Sequence, residues 1–113
     1  MSGALGGIGR LPRGSDFASL LRRGRRQDGR FLSVIARKSG LSGARMAVIA
    51  GRVVDKRATA RNRMRRRVRE YVRAHPSLVR PGCDIAVIIR KEAVGMSRRH
   101  FYEELTRILR DAA

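Results

Sequence analysis

ATARNRMRRRVREYVR, residues 58–73, is the stretch on which the rest of the chain hangs. Seven of its sixteen residues are arginine: Arg61, Arg63, Arg65, Arg66, Arg67, Arg69 and Arg73. Between them Ala60, Met64, Val68, Tyr71 and Val72 recur at spacings of three and four, which predicts a helix with one buried face. At roughly 100° per residue these five fall within about a third of the helical circumference. Asn62, Arg65, Arg66, Arg69 and Arg73 lie around the remaining arc. One helix thus carries an anchor on one side and a dense cationic surface on the other. So many like charges repel one another, and a polyanion is the partner that relieves them.

The rest of the composition agrees. The chain has 113 residues, enough for one domain with a modest core. Lys and Arg number 27 against 9 for Asp and Glu, a formal charge of +18, yet 42% of residues are hydrophobic. A disordered basic tail would hold far fewer apolar residues, so the chain reads as folded, strongly cationic and directed at nucleic acid. No apolar run approaches the roughly 20 residues that span a bilayer, and the N-terminus lacks a signal pattern. Cys83 is the one cysteine, so no intrachain disulfide and no CxxC metal site can form. The expectation is a cytoplasmic protein with neither a membrane nor a small-molecule partner.

Outward from the arginine helix, residues 1–9 are glycine-rich and read as a flexible tail ahead of a domain at 10–113. Ser15 to Arg23 predicts a short helix, with Asp16 in its first turn and Gly24 beyond its end. Phe17, Leu20 and Leu21 share one face of it. Phe17 fits a core position, and it equally fits an aromatic beside Arg22, Arg23, Arg25 and Arg26 on which an unpaired base can stack. Residues 30–37 and 45–51 are apolar runs of strand length, joined through SGLSG, and are expected to pair as an antiparallel hairpin. Arg25 to Gln27 adds a short strand. Pro76 ends the arginine helix. Asp84 to Arg90, DIAVIIR, is the best central strand in the chain, open to parallel pairing after the helical crossover. Ser97 caps a last helix whose apolar stripe is Phe101, Leu105, Ile108 and Leu109.

A self-sufficient nuclease needs clustered carboxylates for metals, or a placed histidine pair. Here the nine carboxylates are scattered, Glu103 and Glu104 are neighbours that do not face each other, and His75 and His100 lie on different elements. No phosphate-cradling loop precedes a Lys-Ser or Lys-Thr. The residues by themselves describe a small α/β nucleic-acid-binding domain without an evident active site.

Asp55-Lys56-Arg57-Ala58, Arg61-Asn62-Arg63, Arg65-Arg66 and Arg69-Glu70 together resemble the signature of the bacterial ribonuclease P protein subunit. Asp16-Phe17, Leu20-Leu21 and Gly24 resemble that family's first helix. Residues 84–91 resemble its last strand, and Glu104-Leu105 with Ile108-Leu109 its closing helix. The resemblance spans roughly residues 10 to 111. It implies a small single α+β domain, α-β-β-β-α-β-α, with a mixed sheet and a left-handed crossover through the arginine helix. It also implies a ribonucleoprotein endoribonuclease whose catalytic centre, with its Mg²⁺ ions, lies in the RNA subunit, so that the protein alone is inactive. The implied partners are that catalytic RNA and precursor tRNA, whose single-stranded 5′ leader runs in a cleft beside the first helix. Carried over by position, Arg61, Asn62, Arg63, Arg65, Arg66 and Arg69 contact the catalytic RNA, and Phe17, Leu21 and Val34 contact the leader. Family members often have aromatics where this chain has Leu21 and Val34.

Two other readings share the charge and size. A ribosomal or ribosome-associated structural protein lacks the combination of the Asp16-Phe17 helix with the Arg-Asn-Arg helix. A DNA-binding module using residues 61–73 in the major groove would have only Asn62 as an adenine reader.

Overall fold

The computed structural model describes residues 7–112. Along them run β1 (Ile8–Arg10), α1 (Ser15–Arg23), β2 (Arg25–Asp28), β3 (Leu32–Lys38), β4 (Ala44–Ile49), α2 (Ala58–Ala74), β5 (Cys83–Ile89) and α3 (Arg98–Ala112), with 3₁₀ turns at Pro76–Leu78 and Lys91–Ala93. The expected helices and strands are present, and one strand precedes them. The tail expected at residues 1–9 falls largely outside the described residues, but Ile8 and Gly9 are part of β1, and Ile8 is buried. This three-residue strand pairs in parallel with β4, Ile8 opposite Ala44 and Arg10 opposite Met46. Its structure comes from the edge that β4 offers, not from its own glycine-rich composition.

The sheet is mixed and ordered β1-β4-β5-β3-β2. β5 is antiparallel to β3 and parallel to β4, and α2 makes the crossover from β4 to β5. β3 and β4 therefore do not form the expected hairpin, because β5 separates them. Its run of buried residues, Asp84 to Val87 and Ile89, gains most from a central place with neighbours on both edges. The SGLSG segment instead lies across the start of β5. The Ser39 N–H donates to the Gly82 carbonyl at 2.8 Å, and the Gly82 N–H donates to the Gly43 carbonyl at 3.1 Å. Gly82 makes this crossing at φ +79°, a left-handed conformation that side chains disfavour.

Both faces of the sheet are covered, by different helices. α2 and α3 lie on one face, where Val68, Val72, Leu105, Ile108 and Leu109 meet Leu32, Val34, Met46, Val48, Ile85, Val87 and Ile89. α1 lies on the other, where Phe17 and Leu20 meet Leu11, Ile35, Ala47 and Ala86. An ion-pair cluster fixes the end of α1 that begins with Ser15. Arg45 donates to both oxygens of buried Asp84, at 2.8 and 2.7 Å, and to Asp16 at 3.1 Å. Asp84, more than any other neighbour, holds the Arg45 guanidinium protonated even more firmly than usual.

α3 begins as expected, with the His100 N–H donating to Ser97 Oγ at 3.2 Å. Beside its apolar stripe, buried Glu104 accepts from the backbone N–H groups of Arg30, Phe31 and Leu32 at 2.9, 2.6 and 3.2 Å. The approach is close enough that a Cβ on Gly29 would strike Ile108 Cδ1 and stand 2.8 Å from the Glu104 carboxylate. Gly29→Ala is therefore expected to cost about 1–3 kcal/mol of stability by overpacking. Urea denaturation checks this: the midpoint should fall while the slope stays unchanged.

Candidate nucleic-acid interface

α2 is anchored by its apolar stripe. Val68 and Val72 are completely buried, and Met64 and Tyr71 are half-buried against the same core. Every arginine of the helix must then leave along its flanks or its outer surface. Asn62, Arg63 and Arg66 are exposed on the outer surface, and Arg66 faces only Glu70, at 4.0 Å.

Arg61, Arg65, Arg69 and Arg73 follow one another at intervals of four along a single flank. The first two have structural duties. Arg61 donates to the carbonyls of Asp55 and Lys56 at 3.0 and 2.9 Å, closing the start of a helix that has no capping side chain. Arg65 donates to the Ala50 carbonyl at 3.0 Å, just beyond β4, and to Asn62 Oδ1.

Arg69 is different. Its Nε is closed to solvent, and no partner accepts from it among the described residues. Burial, and then the nearby charges of Arg10, Arg65 and Arg73, push its pKa down. Arg10 comes from β1, so sequence reading missed its part here along with the strand. Only the parity of Arg10 relative to Leu11 could have placed it on the α2 side of the sheet.

The residues expected at the leader divide. Phe17 is buried at 8% exposure, with Arg13 lying 5.0 Å over its ring. Leu21 is 40% exposed one turn further along α1. Val34 does not join them. It is wholly enclosed on the opposite face of the sheet, against the core under α2 and α3, and it is withdrawn from this group. The residues that do adjoin the α1 cluster are Ile49 and Ile88, each half-buried. A strand run that is apolar on both faces gives no sign of which residues face which helix, so their parity was not legible. Phe17→Ala is accordingly expected to behave first as a core truncation, lowering stability by about 3–5 kcal/mol, readable by thermal denaturation.

Among the described residues, no three His, Cys, Asp or Glu side chains come together as a metal site. Each histidine is held within its own helix region, His75 Nδ1 2.8 Å from the Tyr71 carbonyl oxygen and His100 Nδ1 2.9 Å from Ser97 Oγ. The helices are also too short or too polar to cross a membrane among these residues.

Comparison with known proteins gives one answer throughout. The chain is 36% identical over 102 residues to the ribonuclease P protein component of Acidothermus cellulolyticus, covering 88% of this chain and 84% of that one. It is 30% identical over 100 residues to the ribonuclease P protein component of a Picosynechococcus species, covering 88% and 86%. The solved RNase P protein of Thermotoga maritima superposes with a TM-score of 0.82 at 29% identity, covering 92% of this chain and 97% of its own. The RNase P protein of Staphylococcus aureus shares the fold at a TM-score of 0.77 and 23% identity, with 94% and 96% covered. The family model described as Ribonuclease P matches residues 8–113, β1 included, and with that span the chain belongs to the ribonuclease P protein family.

Proposed function

We propose that this protein is the protein subunit of a ribonuclease P ribonucleoprotein. It binds the catalytic RNA and the 5′ leader of precursor tRNA, and so assists the endonucleolytic cut that makes the mature 5′ end. The observation that carries this reading is a helix whose outer surface and one flank are arginine with almost no acid to neutralise them, in a chain that matches the family along nearly its whole length. Arg63, Arg66 and Asn62 meet the catalytic RNA directly. Arg61 and Arg65 hold the connection from β4 to α2, and any free η N–H groups they have add phosphate contacts. Arg69 works on the flank. The leader runs over the α1 side of the sheet, on Leu21, Ile49 and Ile88, with Phe17 supporting that surface from beneath. Apolar side chains and surrounding arginines suit a strand held without regard to base identity.

Among the described residues no three acidic, histidine or cysteine side chains gather into a cation site. In this reading the ions belong to the RNA and its substrate, and the protein contributes binding and orientation. The test is reconstitution with the catalytic RNA of the same organism and a precursor tRNA at low Mg²⁺. Cleavage at the mature 5′ end is expected only when both subunits are present. Cleavage by protein alone that survives nuclease treatment of the preparation, or no stimulation of the RNA by the protein, would overturn the reading.

A further inference from the structure

We infer that the exposed side of α3 is a docking surface for a second copy of this chain, the two helices lying antiparallel about a two-fold axis. That surface is read from α3 and its neighbours alone and does not depend on the RNA-binding reading above.

Arg99, Glu103, Arg107 and Asp111 follow one another at intervals of four, so they form a single ridge along α3. Their charges alternate: plus, minus, plus, minus. Residues 99 and 111 stand equally far from Leu105 in the chain, and so do residues 103 and 107. A second α3 laid antiparallel about that level sets Asp111 of one copy against Arg99 of the other, and Arg107 against Glu103. Each pair then occurs twice, as an interface shared equally by two copies requires. Alternating charge at this spacing can also be satisfied within one helix, but here that happens once. Arg99 meets Glu103 at 3.3 Å, whereas Arg107 turns to Glu104 at 3.6 Å. Asp111 has no ion-pair partner among the described residues.

The ends of the ridge also oppose the helix dipole. Arg99 stands in the first turn of α3 and Asp111 in the last, the reverse of what a lone helix prefers. An antiparallel neighbour corrects both at once, bringing an acid to the start of the helix and an arginine to its end. Beside the ridge, an open groove of about 520 Å³ lies between α3 and Tyr71 of α2. Tyr71 and Tyr102 line it with rings stacked 4.3 Å apart and 4° from parallel. The Tyr71 hydroxyl is fixed 2.6 Å from Thr106 Oγ1. A partner's ridge entering this groove packs against a rigid aromatic surface, which exposed ion pairs alone would not supply. Each copy carries +18, yet the four ridge charges sum to zero, so the contact itself adds no net repulsion.

The experiment is sedimentation equilibrium of the full-length protein at about 0.15 M salt, where the Debye length of about 8 Å screens the distant charges of each copy. Loading concentrations run up to about 1 mM, because a contact of one helix and a groove makes a weak dimer. Wild type should move from monomer towards dimer across that range. Arg99→Asp and Asp111→Arg each suit the helix dipole, so both should melt close to wild type. Each also sets like charges opposite one another twice, so each alone should associate at least about tenfold more weakly. An equimolar mixture of the two variants restores opposite charges at both ends and should recover association to near wild type at the same total concentration.

A wild type that stays monomeric throughout would overturn the docking surface. So would variants that associate as wild type does, or a mixture no better than its two components. Arg99→Asp lowers the net charge, so if it associates more tightly than wild type, overall repulsion and not the ridge governs the contact, and the proposal fails.

Discussion

Glu104→Ala should lower the stability of the free protein by about 3–5 kcal/mol, the largest loss expected of any single side chain outside the apolar core. Its carboxylate accepts three backbone N–H groups in succession at the entry to β3, and its side chain is 9% exposed. Alanine leaves those three amides facing a buried void. Each unsatisfied buried donor costs about 1–3 kcal/mol, less what invading water recovers. A fall in melting temperature of roughly 10–20 °C would follow for a domain of this size. Glu104→Gln separates the two parts of the effect. Its amide oxygen keeps one acceptor in place while its NH₂ confronts the remaining donors, so it should fall between wild type and alanine. Arg107 reaches the same carboxylate at only 3.6 Å and is itself exposed, so Arg107→Ala should change stability by less than about 1 kcal/mol. An alanine variant at position 104 that melts within a few degrees of wild type would show that the three amides find other partners.

The largest functional effect should come from Arg63→Ala combined with Arg66→Ala. Neither side chain supports a backbone group, and Arg66 has only the distant Glu70, so the free protein should keep its stability within about 0.5 kcal/mol. Hydrogen bonds to charged groups contribute about 1.5–3 kcal/mol each. Without two such bonds to the catalytic RNA, assembly would weaken roughly a hundredfold or more. The salt slope should fall by about 1.4–1.8, two phosphates' worth. The matching pair Arg61→Ala with Arg65→Ala should differ in kind, losing stability first, because those guanidiniums hold the carbonyls of Asp55, Lys56 and Ala50. If both pairs weaken RNA binding equally without loss of stability, this division of roles is wrong.

The elements legible in the sequence were those whose signals are local. The α2 stripe, the Ser97 cap and the β-branched run of β5 each carry their own pattern, and each appears where that pattern puts it. What was not legible depends on partners distant in the chain. β1 exists because β4 presents an edge. β3 and β4 look like a hairpin until β5 inserts between them. The placement of Val34 failed because β3 is buried on both faces from Leu32 to Ile35, which erases the alternation that would orient it. Glu104 was read as one of several scattered acids, since nothing in its neighbourhood announces that a chain segment 72 to 74 residues earlier will present three amides to it. The candidate interface followed the same rule. The outer arginines were visible in the helical period, whereas the nearness of Arg10 to that helix required the sheet.

The central position of β5 also sets the order in which the chain can be made. Until residues 83–89 have emerged from the ribosome, β3 and β4 have no strand between them, and the nascent chain carries two inner edges with open backbone groups. From the end of β4 to the end of β5 is about 40 codons, roughly 2–8 s of translation. Open apolar edges exposed for seconds are templates for joining one unfinished chain to another. By then α2 has already been synthesised, and its seven arginines make each unfinished copy strongly repel the next. The charge suited to a polyanion in the finished protein thus keeps half-made copies of it apart.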